Sequence, residues 1–541
     1  MPLPESPEEL SALIVAACNT AAIDGPPTTL LSDILSELDR TDAERRSDLL
    51  EPLVIVPALV QILSDSEPPL RMLKLLARDA NAKECVLAFA EELERLCSAI
   101  DQIDEDVEDQ VRDGKRMADA VVRLVQAVTV AAPRVALRKR SLHETSKPWV
   151  KIVQRAVRVL SGAAFVSRGS VVEVLQTDLT FAEALKRRAE DEGIASDDKL
   201  ATEVRLQSHV ISSVDNAYTK LQAHLALRLY ESQNSRLILR SGVPPGWESD
   251  DAVLTRASDF VQSIDNFVQP SFGSLVILVH HANFTASSST VSTYMPILIA
   301  YLQANQSIDA PLALLLRYLS NSTTQTQSIE LPEPLAAALI PLVAPLSAAH
   351  PHPPTRLLLF RGLLKPMLLR TPPALRLSLY AGLLSPDETA AYPQLRVAAI
   401  ALVRDDLTAT LRAGGGGAFA GPRTLQTLAP LVLRPSPPNL FEQTDLDVHS
   451  FVQEAEPARL TEALLFYYAV LVADTANKTG IRDKDTLRSV DRDLLQPLRQ
   501  HVPKWIAKLQ ASDTHSHGHA VMALAGLETA LERVDEARAT L

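Results

Sequence analysis

The sequence predicts an all-α protein, and three observations predict it. Leu and Ala are abundant, while Gly contributes only 18 of 541 residues and aromatic side chains 4%. Ala and Leu lose least on entering a helix, whereas strands draw on β-branched and aromatic residues. Apolar positions recur at helical spacing through long stretches. Helix-start signatures recur as well, with no convincing hairpin signal between them. "GSLVILVHH" is the best strand candidate, but it sits among helical segments and reads as a buried helix turn; "VVEVLQ" is another, weak exception.

The elements follow in order. "SPEE" at Ser6 to Glu9 offers a Ser cap, Pro at the first helical position and Glu at the third. "TDAE" at Thr41 to Glu44 and "SPDE" at Ser385 to Glu388 repeat it, a hydroxyl and a carboxylate meeting N–H groups that a helix leaves unpaired. "LSDILSEL" and "EPLVIVPALVQIL" read as helices, and "PPLRMLKLLARDANAKECVLAFAEELERLCSAIDQI" as a helical pair. "SGVPPGWESD" (Ser241 to Asp250) is a Pro/Gly break. It divides the chain into a helical-repeat half at 1–240 and another at 251–541. Flexible insertions are expected near 320–334, where "SNSTTQTQSIELPEP" is polar, and near 413–422, where "AGGGGAFAGP" is a connector.

Strict repeats are not visible. "TRLLLFRGLLKPMLLRT", "PALRLSLYAGLLS" and "YPQLRVAAIALVRDDLTATL" nevertheless follow one another as short helices with Pro-containing joints. In the last, Val397, Ile400, Val403, Leu407 and Leu411 form one stripe, and Ala398, Ala401, Leu402 and Ala409 another. A helix with two apolar sides suits a stack, so the expected architecture is an elongated α-solenoid of HEAT/armadillo-like helical hairpins. Arg404, Asp405 and Asp406 would mark where that helix emerges, and they are candidate partner contacts.

Composition excludes several classes of function. Net charge is −13, without the basic field of a direct nucleic-acid binder. No Asp, Glu, Lys or Arg occurs between Asp265 and Asp309, or from Pro334 to Thr355. The first stretch contains the polar "HHANFTASSSTVSTY" and the second Pro341 and Pro345, so both read as buried helices rather than membrane spans. Three cysteines, Cys18, Cys85 and Cys97, give no disulfide framework and fit a reducing cytoplasmic or nuclear compartment. The acidic start "MPLPESPEEL" does not read as a signal peptide. The sequons at Asn283, Asn305, Asn321 and Asn477 then read as coincidence.

A search for chemistry is nearly empty. "GGGG" at Gly414 to Gly417 lacks the Lys-Ser/Thr of a phosphate loop. His515, His517 and His519 are weak metal candidates whose spacing matches no standard zinc motif, and "HPHPP" at His350 to Pro354 reads as a turn. Hydrolase motifs are missing, and the cysteines read as buried and structural. The expectation is a non-enzyme without cofactor or metal. The acidic block Asp101 to Gln110 and the basic block Arg134 to Arg140 read as solvated faces, with partner attraction and nuclear import as the functional alternatives.

The segment from 355 to about 500 resembles the fungal Yap-binding protein/glomulin family. The likeness is carried by the "RLLLFRGLLKPMLLRT" run, then "ARLTEALLFYYAVLVADTANKTGIRDKDTLRSVDRDLLQPLR" (Ala458 to Arg499). It implies a helical-repeat adaptor that binds a Yap-type leucine-zipper transcription factor, together with a thiol peroxidase, and supports its activation under oxidative stress. The alternatives it implies are an inhibitor binding the RING subunit of cullin ubiquitin ligases, or a kinetochore-associated scaffold. No catalytic residue carries over. Read from the residues themselves, Gly480 ends the long apolar helix and Arg482, Asp483, Lys484 and Asp485 form an exposed turn, of which Arg482, Asp483 and Lys484 are candidate partner contacts.

Overall fold

A computed structural model describes residues 3–24, 29–63, 67–137, 140–191, 193–234, 245–266, 268–321, 330–386, 391–414, 419–435, 440–443, 447–453, 455–511 and 518–540. Among them every regular element is helical. The chain forms two compact units. One joins 1–225 to 243–284; the other joins 226–242 to 285–541. The expected Pro/Gly break at 241–250 thus lies where the chain passes from a segment of the second unit back to one of the first. Its residues 241–244, like 322–329 and 415–418 of the two expected insertions, lie outside the described residues.

In the first unit, helices stack on their next-but-one neighbours. Glu108–Ala131, Arg168–Asp191 and Trp247–Gln262 pack in succession as one layer. Ala82–Ile100, Leu142–Gly162, Ser196–Ala217 and Phe272–His280 pack in succession as the other. This is hairpin stacking of the solenoid kind, and it buries two sides of most helices. "GSLVILVH" lies in Phe272–His280, helical as expected, and "VVEVLQ", the weak strand candidate, is helical as well, in Arg168–Asp191. In the second unit, Glu333–Ala349 packs on Ser288–Ala304, and Pro393–Arg412 on both Pro373–Leu384 and Glu456–Ala473. Gly518–Ala539 covers Glu456–Ala473 and Gln496–Ala511.

A recurring device closes the ends of these helices. The last carbonyls of a helix have no partner within it, and a cation favours that end. Arg134 donates to the carbonyls of Ala77 (2.6 Å) and Ala80 (3.0 Å) at the end of Glu67–Asp79. Arg188 donates to those of Ala132 and Val135, and Lys220 to those of Leu160, Ala163 and Val166. In the second unit Arg370 reaches Leu319, and Arg459 reaches Val432 and Arg434. The expected basic block is in this way turned inward at Arg134, while Arg138 and Lys139 lie outside the described residues.

Prolines shape the second unit. Pro341 and Pro345 both lie inside Glu333–Ala349. Among the described residues two wider π turns occur, at Leu358–Leu364 and Asp491–Leu495, and each ends two residues before a proline. Pro366 and Pro497 lack an N–H and cannot accommodate the carbonyl four residues back. The backbone widens instead, so Lys365 N–H bonds to the Phe360 carbonyl and Gln496 N–H to that of Asp491, both five residues back. Gly362, in the first such turn, lets the Tyr230 ring lie close, where a Cβ would sit 3.0 Å from it.

Some local expectations are corrected. The cap of Ala43–Leu49 is Asp42, whose carboxylate accepts Arg45 N–H at 2.8 Å, and not Thr41, whose hydroxyl donates back to Glu37. Pro393–Arg412 does not emerge at Arg404 to Asp406. Asp406 is buried, as are Leu407 and Leu411 beyond it. The second stripe of that helix is built on Leu395, Ala399 and Leu402, while Ala409 is exposed.

Candidate binding groove

Three of the six predicted contact residues, Arg404, Asp406 and Arg482, turn inward, while Asp405, Asp483 and Lys484 are exposed. Arg404 pairs with Glu462 at 2.6 Å and with Asp405, tying Pro393–Arg412 to Glu456–Ala473. Asp406 accepts from Tyr380 Oη at 3.3 Å and pairs with Arg376, whose guanidinium stacks 4.8 Å over the Phe419 ring. Burial raises the Asp406 carboxyl against the pull of Arg376. Neither Arg404 nor Asp406 presents a free surface. The helical spacing of the sequence cannot show this, because the partners of Asp406 lie 26 and 30 residues away.

The turn after Glu456–Ala473 is different. Asp474 is buried at 2% exposure and organises it. Its Oδ1 accepts Lys478 N–H at 2.8 Å, and its Oδ2 accepts Thr479 N–H at 2.7 Å and the Thr479 hydroxyl at 2.6 Å. Asn477 takes up the left-handed conformation that a short amide side chain tolerates (φ 50°). Its Oδ1 accepts Arg482 N–H at 2.8 Å, and its Nδ2 donates to Asp483 Oδ1 at 2.7 Å. Gly480 has φ 79°, and a Cβ there would sit 2.9 Å from Asp483 Oδ2. Ile481 is fully buried. Arg482 is no exposed contact: it folds back to donate to the Leu471 carbonyl at 2.6 Å, closing the helix end.

This ordered turn forms one wall of a groove of about 540 Å³. The opposite wall is one face of Pro422–Val432: Pro422, Leu425, Gln426, Ala429 and Pro430, continuing to Leu433 and Arg434. Asp483, Asp485, Thr486 and Asp493 complete the rim. Of the predicted residues, Asp483 thus lines the groove, while Lys484 is exposed beside it. Arg492 holds the Asp493 carboxyl below its usual range. Arg396 and Arg459 fix the far end of Pro422–Val432 by donating to the Leu431 and Val432 carbonyls. Both arginines are buried, and burial with the neighbouring Arg459 pushes Arg396 down to about 10. Sequence reading missed this helix face and Asp474. The available signals were a proline within a helical run, Pro430, and the Asp474/Asn477/Thr479 spacing ahead of Gly480.

No described group of His, Cys, Asp and Glu has the makings of a metal site. His515 and His517 lie outside the described residues. Cys18, Cys85 and Cys97 are buried. Burial pushes their thiols up, Cys18 to about 11 and the other two to about 12. None of the described helices is long and apolar enough to cross a membrane.

No family model and no curated protein matches the chain. Among solved structures it is similar to a chain of a homology model of the full-length AP-3 complex in an intermediate open conformation. The identity is 10% and the TM-score 0.21, over 97% of this chain and 90% of that one. At that similarity the likeness carries no argument, and function has to be read from the groove itself.

Proposed function

We propose that this chain is a non-enzymatic adaptor of the Yap-binding/glomulin type. It holds a Yap-type leucine-zipper transcription factor and supports its activation under oxidative stress. The observation that carries the reading is the groove at 422–434 and 477–493, whose loop wall is ordered by Asp474 and Asn477 before any partner arrives. A preformed wall spares a partner the entropy of ordering it. The stacked helices supply a rigid frame for such a site. The buried thiols support the same reading. A thiolate is the species that attacks a peroxide, and burial keeps all three cysteines in the thiol form. The redox step then belongs to the partners, and the adaptor raises their effective concentration.

The test has two parts. Purified chain and a Yap-type transcription factor should co-elute as a complex in size-exclusion chromatography, and absence of a complex at micromolar concentrations refutes the adaptor role. In cells, Cys18→Ala, Cys85→Ala and Cys97→Ala together, in a chain shown to fold, should leave peroxide signalling intact. Complete loss assigns the chain a redox step of its own. Inhibition of a reconstituted cullin-RING ligase, with no transcription factor bound, would favour the glomulin-like role instead.

A further inference from the structure

The groove has a chemical polarity that the adaptor reading does not by itself require. Its charged lining residues are Asp483, Asp485 and Asp493 against a single Arg434, with Arg492, outside the lining, paired to Asp493 at 2.6 Å. Asp485 has a 99% exposed side chain, with Arg488 3.8 Å away. A second acceptor comes from the backbone. Pro430 has no N–H, so the carbonyl of Gln426, four residues earlier, lacks the helical donor that any other residue at 430 would offer. Gln426 and Pro430 both line the groove. Beneath these acceptors the wall is apolar, through Leu425, Ala429 and Leu433. Carboxylates and a carbonyl above an apolar floor call for donors on an apolar stem, which is the description of Lys and Arg side chains.

Building on the adaptor reading, we propose that the groove seats a basic amphipathic helical segment of the partner protein. One Lys or Arg sits among Asp483, Asp485, Asp493 and the Gln426 carbonyl, and apolar side chains one turn away rest on Leu425, Ala429 and Leu433. The volume of about 540 Å³ lies within the range of ~300–1,000 Å³ typical of ligand pockets, and holds a few side chains rather than a domain. Helix-in-groove recognition of this kind reads anchors at i, i+3, i+4 and i+7.

The test uses the full chain and a labelled amphipathic peptide of about 14 residues, Leu at the anchor positions and Lys elsewhere, followed by fluorescence anisotropy. A second peptide carries Glu in place of each Lys. The Lys peptide should bind, more weakly as salt rises, and the Glu peptide should not. Asp485→Lys with Asp493→Lys should weaken binding at least about tenfold. The charge-matched control Glu528→Lys with Glu532→Lys, both exposed on Gly518–Ala539, lies outside the groove lining and should leave it unchanged. Pro430→Ala alters no charge but returns an N–H to the Gln426 carbonyl, and should cost about threefold or more while circular dichroism stays native. Equal binding of the two peptides, or equal losses in groove and control variants, overturns the proposal. A Yap-type partner that binds the Asp485→Lys/Asp493→Lys chain undiminished overturns the groove assignment and leaves the adaptor reading standing. A chain that takes the Lys peptide but no leucine-zipper partner does the reverse.

Discussion

Asp474→Asn is the substitution that tests the groove's construction most directly. It keeps the side chain's shape and removes its charge. In the native turn one carboxylate receives three donors: Lys478 N–H, Thr479 N–H and the Thr479 hydroxyl. An amide keeps one acceptor oxygen and turns the other position into a donor. The less costly orientation leaves the oxygen on Thr479, which makes two of the bonds, and sets the NH₂ against Lys478 N–H. One hydrogen bond to a charged group is then lost outright, at about 1.5–3 kcal/mol, and the other two fall from charged to neutral strength, at roughly 0.5–1 kcal/mol each. The expected cost is about 2.5–5 kcal/mol, felt first in the turn. Urea unfolding of the second unit gives the global part and amide exchange at Lys478, Thr479 and Arg482 the local part. The Lys peptide should lose affinity in parallel, because the loop wall must now be ordered on binding. A loss under about 1 kcal/mol with unchanged protection of Lys478 and Thr479 would refute Asp474 as the organiser of the turn.

Three further outcomes follow from other parts of the molecule. Gly273→Ala should destabilise the first unit by about 2–3 kcal/mol or more in urea unfolding, because its Cβ would lie 2.3 Å from the Ile211 carbonyl oxygen and backbone has to shift; wild-type stability would show that the two helices separate freely. Iodoacetamide at mildly alkaline pH should label Cys18, Cys85 and Cys97 slowly until urea unfolds the chain, since burial holds the thiols at about 11 to 12, and rapid labelling of the native chain would contradict their burial. Asp79 is held below its usual carboxylate range by the Arg78 hydrogen bond and by Arg46 against the opposing effect of burial, so its stabilisation is present above about pH 4 and is lost as pH falls through the lowered value. Asp79→Asn should therefore destabilise at neutral pH and lose that effect as the pH falls through the lowered value, and a pH-independent loss would assign its role to packing alone.

How much of this was legible in the sequence depends on how local the cause is. Helices and their apolar faces were legible, since composition and periodicity act within a few turns. The cap at residue 42 was missed by one position, because Thr41 and Asp42 are both good caps and the choice turns on which side chain can reach Arg45 N–H. The π turns were not foreseen, although Leu363-Leu364-Lys365-Pro366 and Leu494-Leu495-Gln496-Pro497 share one pattern. Asp406 was misread as surface because a buried carboxylate looks like an exposed one until Arg376 and Tyr380 are seen beside it. The groove was half legible. Its turn stood out by residue type, but its other wall is a helix face more than forty residues earlier, and no periodicity links the two.

The two walls of the groove also differ in how they resist change, and that bears on what they can recognise. Pro422–Val432 is pinned at its end by Arg396 and Arg459, with Glu456 accepting from Arg459 at 2.8 Å. Removing one member of such a buried set strands the others, at about 3–5 kcal/mol, so that wall is costly to alter. The rim carboxylates Asp485 and Asp493 are exposed and make short-range or surface pairs, each contributing about 0–1 kcal/mol to stability. Charge at the rim can therefore vary with little cost to folding, while the apolar floor and the Gln426 carbonyl stay fixed. In a site built this way the shape of the partner's anchor is set by the fold, and the choice among basic partners is set by Asp485 and Asp493.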